Sequence, residues 1–157
     1  MKQSHQLKLE LAADEDAAPI ALMSRELIEA GLPWSWTPQR VARALHERDT
    51  LVLAARAGAC LAGFSIMQFG DERAHLSLLA VRPDYQRQGV ARRMLQWLTD
   101  SALIAGIATI HLELRENNPG ARRFYLEQGF DETARIPGYY RGVETAVRML
   151  RDIRIRR

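Results

Sequence analysis

Residues 78–91 read Leu-Leu-Ala-Val-Arg-Pro-Asp-Tyr-Gln-Arg-Gln-Gly-Val-Ala. An apolar strand ends, a polar turn follows, and an amphipathic helix begins at a lone glycine, Gly89. That arrangement suits an anion. Free N–H groups at a helix N-terminus point outward, and the helix dipole favours negative charge. Gly89 and Ala91 keep large side chains out of the approach. Arg82, Arg87, Arg92 and Arg93 are offset only by Asp84, and guanidinium forks suit phosphate oxygens. The same residues also fit an ordinary helix start with solvated arginines. The stretch lacks the G-x-G-x-x-G of a dinucleotide turn and the Gly-Lys-Ser/Thr of a P-loop, which disfavours both.

A second group of residues could move protons. Glu113 interrupts the apolar run 110–114, and on an alternating strand it shares a face with His111 and Arg115. A carboxylate so placed can act as a general base. It equally fits a solvent-facing residue paired with Arg115. Tyr125 shares one helix side with Ala121, Phe124 and Gln128; a phenol there can donate a proton or simply pack. Trp34 and Trp36 lie in a polar turn, where they can line a site or cap the core. His5 and His46 read as surface residues. His75 and His111 lie on strands without Cys or His partners at metal spacing, so no metal site is expected.

The elements that must position these groups follow from periodicity. Residues 6–11 alternate as a first strand. A helix with apolar Ile20, Met23, Leu27 and Ile28 runs through Ala30 and stops at Gly31. Thr37-Pro38 caps a second helix that reaches Glu47. Strands are expected at 50–55, 61–69 and 74–81, and a helix at 89–104 with a stripe of Val90, Met94, Leu98 and Ala102. A strand over 107–114, a short helix from Asn118-Pro119 to Gly129, and strands at 130–136 and 145–150 complete the chain. The order β-α-α-β-β-β-α-β-α-β-β predicts an α/β (α+β) fold with a mixed, mostly antiparallel sheet of about seven strands and four helices.

Composition narrows the class further. A chain of 157 residues, 47% hydrophobic and 26% charged, suits one globular domain, expected over residues 1–150. The net charge of +3 does not mark a nucleic-acid binder. It resides in a basic tail: residues 148–157 carry five Arg and one Asp, and the remaining 147 residues sum to −1. Residues 151–157 are expected to extend past the last strand. The lone cysteine, Cys60, excludes a disulfide framework and is expected to be a small buried thiol. No apolar run fits a signal peptide or a membrane span, so a cytoplasmic setting without membrane association is expected.

The segment Gln86-Arg87-Gln88-Gly89-Val90-Ala91 resembles the Q/R-x-x-G-x-G/A acetyl-CoA signature of the GNAT N-acetyltransferase superfamily. The resemblance covers roughly residues 7–150. Asp84-Tyr85 before it, Leu112-Glu113-Leu114-Arg115, Asn118, Phe124-Tyr125, Gly129-Phe130 and Tyr139-Tyr140 are similar to the RimI-type protein N-alpha-acetyltransferases. Two departures from that branch are Ala91, where a second glycine is usual, and the compact segment 136–142, which lies on the substrate side. The resemblance implies acetyl-CoA as co-substrate and acetyl transfer to a primary amine by direct attack in a ternary complex. Backbone groups of Leu79, Ala80 and Val81 would bond the pantetheine arm, and a backbone N–H there would hold the oxyanion. Arg87, Gln88, Gly89, Val90, Ala91 and Arg92 would hold the pyrophosphate, and Asn118 would bond the arm near its thiol end. Glu113 matches the general base, and Tyr125 matches the tyrosine that protonates the leaving thiolate. His111 is a minor candidate for relaying a proton beside Glu113. On the acceptor side the resemblance implies Trp34, Trp36, Tyr139 and Tyr140.

The acceptor it implies first is a protein N-terminus, with a ribosomal protein as one candidate target. A small-molecule amine or a non-catalytic acyl-CoA-binding regulator remain as alternatives. A basic RNA- or ribosome-associated module is a third reading, although no direct nucleic-acid contact is expected. A monomer or a homodimer is expected.

Overall fold

The computed structural model describes residues 7–155. Its strands are β1 (Leu7–Leu11), β2 (Thr50–Ala57), β3 (Cys60–Phe69), β4 (Arg73–Val81), β5 (Thr109–Arg115), β6 (Asp131–Tyr140) and β7 (Glu144–Asp152). Its helices are α1 (Ala17–Leu27), α2 (Pro38–His46), α3 (Val90–Ile104) and α4 (Pro119–Glu127). The strands form one sheet in the order β1-β2-β3-β4-β5-β7-β6. The pairs β1–β2, β5–β7 and β6–β7 are antiparallel. β4 and β5 are parallel, Arg73–His75 pairing with Thr109–His111, because α3 supplies the crossover that a parallel pair requires. The expected fold class and element order agree with this architecture. Gln6 and His5 lie outside the described residues.

The chain divides into two compact units. Among the described residues, the first holds those up to Met67 together with Leu78–Leu98; the second holds Gln68–Ser77 and those from Thr99 onward.

In the first unit α1 packs on α2, and Ile20, Met23, Val41, Ala44, Phe64 and Ile66 are buried in a common core. α2 starts as its sequence dictates: the Thr37 hydroxyl accepts from the Arg40 N–H at 3.3 Å, and Pro38 occupies the first turn. α1 ends at Leu27, three residues before the expected stop. There the Ser24 carbonyl accepts from both Ile28 N–H (2.9 Å) and Glu29 N–H (2.8 Å), which tightens and closes the helix. Cys60 is exposed, contrary to the buried thiol expected. It opens β3 at the tip of the β2–β3 turn, before the strand enters the core.

In the second unit β5 pairs with β7 from Thr109↔Asp152 to Arg115↔Ala146. β6 continues to Tyr140, past the expected end at Ile136, with irregularities in its pairing to β7 between Glu132 and Ala134 and between Ile136 and Tyr140. Pro137-Gly138 has turn composition, yet at a bulge on an edge strand a proline forfeits no ladder bond. β7 likewise runs past residue 150. Arg151 and Asp152 belong to β7, and Ile153 is buried with its N–H on the Ala108 carbonyl at 3.0 Å. Arg156 and Arg157 lie outside the described residues.

Candidate active site

In the first unit, β4 ends at Val81 and a single 3-10 turn, Pro83–Tyr85, leads to Gly89 and α3. Side chains hold this turn from below. Arg82 donates from Nε to the Leu61 carbonyl at 2.7 Å, and its N–H bonds the Ala62 carbonyl at 2.8 Å. Gln86 Nε2 donates to the Val81 carbonyl at 3.0 Å, and Gln88 Nε2 to the Asp84 carbonyl at 3.2 Å. Arg87 and Gly89 both take left-handed backbone conformations, with φ of 63° and 77°. Left-handed residues on either side of Gln88 bring successive N–H groups into a concavity of the kind that binds anions. Holding Arg87 there costs about 1–2 kcal/mol, which the surrounding bonds offset.

The four arginines of the turn divide into two pairs. Arg82 is committed to the Leu61 carbonyl, and Arg93 donates from Nη1 to the Leu7 carbonyl at 3.2 Å. Among the described residues, the guanidinium groups of Arg87 and Arg92 make no hydrogen bond or ion pair, and both are exposed. A Cβ on Gly89 would meet only Arg92 Nη2, at 3.8 Å. Gly89 therefore serves backbone conformation and open approach, not internal packing. Val90 is buried and Ala91 half-buried, so Val90 can offer a ligand only its backbone. These features fit the diphosphate of a CoA carrier.

Leu79 is half-buried on β4, and Ala80 and Val81 are buried. All three lie beyond the last β4–β5 pair, His75↔His111. Gly63 underlies them: a Cβ there would sit 2.7 Å from the Ala80 carbonyl oxygen. This close approach went unrecognised in the sequence, where Gly63 is one glycine inside an apolar strand.

In the second unit Glu113 is almost covered, its side chain 10% exposed. Oε2 lies 2.7 Å from His75 Nε2, and Oε1 accepts from Arg148 Nη2 at 3.3 Å. These contacts, the His75 bond first, hold its carboxyl below the usual carboxylate range against the opposing effect of burial. Arg115, the partner left open by sequence, is engaged elsewhere. It forms a two-pronged ion pair with Glu144, at 2.7 Å from Nε and 2.6 Å from Nη2. The His75 and His111 rings stack at 4.8 Å. Burial, then His75 and Arg73, lowers the His111 pKa and favours its neutral form. Among the described residues no three metal-ligating side chains gather.

Tyr125 is buried on α4, edge-on to Phe124 (5.1 Å) and Phe130 (5.4 Å). Burial pushes its phenol well above the ordinary value, so it stays protonated. Asn118 caps α4, its Oδ1 accepting from Ala121 N–H at 3.2 Å. Tyr139 and Tyr140 pack edge to face at 4.9 Å on β6. Burial raises both phenols, and the Glu113 carboxylate adds to the effect. Tyr139 remains 46% exposed.

The two tryptophans differ. Trp36 is in the first unit's core, with the Arg40 guanidinium 3.8 Å from its ring centroid. Of the two roles open to it, this placement is the core one. Trp34 is half-buried, its Nε1 donating to the Ala21 carbonyl at 3.2 Å. Buried Glu29 holds the loop that carries them: it accepts from Ser24 Oγ (2.8 Å), Ser35 N–H (2.7 Å) and Trp36 N–H (3.3 Å). Glu29 gave no signal in the sequence because it lies among ordinary helix-end residues.

Residues 20–130 match the Acetyltransferase (GNAT) family. The chain belongs to that family. This GNAT protein is 41% identical over 80 residues to the [Ribosomal protein bS18]-alanine N-acetyltransferase of Escherichia coli K12, a match covering 51% of the chain and 54% of that relative. The matched segment thus spans about half the length of that curated relative. Identity to the N-alpha-acetyltransferase RimI of Mycobacterium tuberculosis is 30% over 130 residues, 80% of the chain and 79% of the relative. Among solved structures, the ribosomal-protein-S18-alanine N-acetyltransferase from Escherichia coli superposes with a TM-score of 0.79 at 30% identity, covering 97% of each chain.

Proposed function

We propose that this GNAT protein transfers the acetyl group of acetyl-CoA to a primary amine, and that its acceptor is the N-terminal α-amine of a protein. The observation that carries the reading is the Gly89 turn. It combines two left-handed residues, one of them an open glycine, with two arginines that form no bond among the described residues, within the segment that matches the family. In this reading Arg87, Gln88, Gly89, Val90, Ala91 and Arg92 hold the diphosphate, and Leu79, Ala80 and Val81 offer backbone groups to the pantetheine arm. Asn118 uses its Oδ1 as a helix cap, which leaves its amide N–H groups for the arm. Acetyl-CoA supplies an activated acyl group as a thioester.

The residues of the second unit handle protons. An ammonium cannot attack; the carboxylate of Glu113 is held ionised to accept its proton. Tyr125, kept protonated by burial, donates to the departing thiolate. Tyr139 presents an exposed phenol ring to a peptide, and Trp34 lies in the loop assigned to the acceptor side. The names of the relatives point to an alanine N-terminus of a ribosomal protein, and a cytoplasmic setting belongs with that acceptor. No helix among the described residues is long and apolar enough to cross a membrane.

Mass spectrometry of peptides incubated with the protein and acetyl-CoA, varying the first residue, tests the proposal beside a panel of polyamines and aminoglycosides. Peptides acetylated at the α-amine are expected. Faster transfer to the small amines would move the acceptor class. CoA binding without any turnover would leave a regulator.

A further inference from the structure

Glu113 and His75 are joined in a way that the general-base assignment does not use. The carboxylate oxygen Oε2 and the ring nitrogen Nε2 stand 2.7 Å apart. Two bare lone pairs at that distance repel, so a proton lies between them. The other ring nitrogen, Nδ1, is 3.3 Å from Ser77 Oγ, and Ser77 donates its own hydrogen to Gln68 Oε1 at 3.1 Å. A serine whose hydrogen is already given away can only accept from Nδ1–H. The chain of bonds therefore runs Glu113–His75–Ser77–Gln68, from a carboxylate 10% exposed to a glutamine at the surface. All four residues belong to the second unit. His75 is 32% exposed at its side chain, well above Glu113.

We infer that Glu113 and His75 act as one proton-holding pair, with Ser77 and Gln68 as its outlet to solvent. The inference rests on the acetyl-transfer reading above. When the acceptor ammonium loses a proton, the N–H electron pair stays on nitrogen and the proton goes to a free lone pair of the Glu113 carboxylate, because the position between Oε2 and Nε2 is already filled. Nδ1 then releases its hydrogen to Ser77 Oγ, and the serine's own hydrogen passes to water beside Gln68. One proton enters the pair and one leaves it, so its net charge is unchanged with no other reactant. His75 is thus a positioning and relay residue that acts through Glu113. The charged and titratable groups around the pair are His111, stacked on the His75 ring, Arg73, which acts on His111, and Arg148, Tyr139 and Tyr140, which interact with Glu113. Burial and the neighbouring positive charges favour neutral His111.

The test is the pH profile of kcat/KM for peptide acetylation by the full chain, its His75→Gln and Ser77→Ala variants, and acetyl-CoA affinity by calorimetry. His75→Gln is expected to lower kcat about tenfold or more, to displace the acid limb, to leave acetyl-CoA affinity unchanged, and to recover on addition of imidazole. Ser77→Ala keeps His75 and is expected to slow turnover severalfold. Nitrogen NMR of the His75 ring at one fixed pH supplies a readout independent of turnover: the Nε2 signal is expected to move in Glu113→Gln, which changes its bonding partner. Wild-type profiles in both variants, or an unmoved Nε2 signal in Glu113→Gln, would overturn the inference while acetyl transfer stands. If the wild type transfers to no amine, the acetyl-transfer reading fails and this one with it.

Discussion

The turn at Gly89 and the cluster around Glu113 solve opposite problems. In the proposed reading the turn receives a negative group, with backbone N–H groups, two left-handed residues and the arginines Arg87 and Arg92 left uncommitted among the described residues. In the same reading the cluster accepts and releases a proton, with side chains bonded to one another across strands. The turn comes from one continuous stretch of a dozen residues. The cluster draws His75 from β4, Glu113 from β5 and Arg148 from β7, across strands aligned by the β4–β5 and β5–β7 registers. Anion binding tolerates openness. Proton transfer over about 2.7 Å does not. Substitutions in the two regions should therefore fail in different measurements.

The largest expected effect is in the cluster. Glu113→Gln keeps the shape but removes the proton acceptor, and kcat for acetylation should fall about 10²–10⁴-fold. Acetyl-CoA affinity by calorimetry should be unchanged. A parallel loss of affinity would erase the division of labour between turn and cluster.

Next is Gly63→Ala, beneath the strand that leads into the turn. Its Cβ would stand 2.7 Å from the Ala80 carbonyl oxygen and 3.3 Å from Val81 Cγ2, so β3 and β4 must move apart. Such overpacking costs about 1–3 kcal/mol. Thermal unfolding should shift down by about 2–4 °C for each kcal/mol at this chain length. A melting point equal to wild type would show that the strands relax freely, and that the turn is not seated on a fixed floor.

Gly89→Ala should be milder and confined to binding. Space is open around the position, so the cost is conformational, about 1–2 kcal/mol to keep a left-handed alanine. Acetyl-CoA affinity should fall about tenfold with the pH profile of turnover unmoved. A changed profile would mean that the turn shapes the proton chemistry as well.

The same contrast explains how much was legible beforehand. The turn was readable because its parts are local: Gly89, the arginines around it and the capped helix all lie within a few residues. Thr37-Pro38, Asn118-Pro119 and the α3 stripe were readable for the same reason. Glu113 stood out as one acid in an apolar strand, but its partner did not. Arg115 shares its strand face, whereas His75 lies 38 residues away and meets it only through the parallel register. Cys60 misled because apolar neighbours on a strand give no sign that its first residue sits at a turn tip. Pro137 misled because turn composition and an edge-strand bulge look alike. Glu29 and Gly63 act through close tertiary contacts that carry no local pattern.

The smallest predicted effect separates the regions by acid stability. The Glu113 carboxyl titrates below its ordinary value in the folded chain, chiefly through its bond to His75. A depressed carboxyl stabilises the fold fully above its unfolded pKa, about 4.3, and that contribution is lost as pH falls through the folded value. Wild type should therefore lose stability more steeply than Glu113→Gln as pH falls from about 5 to 3. Glu10, Asp16, Glu144 and Asp152 are lowered too, but they remain in both proteins, so the difference between the two curves isolates Glu113. Gly89→Ala removes no ionisable group, and its curve should run parallel to wild type. Urea unfolding of the three proteins across this pH range measures both statements. Parallel curves for wild type and Glu113→Gln would mean that the His75 bond does not hold Glu113 ionised, and the cluster would then differ from the turn in geometry alone.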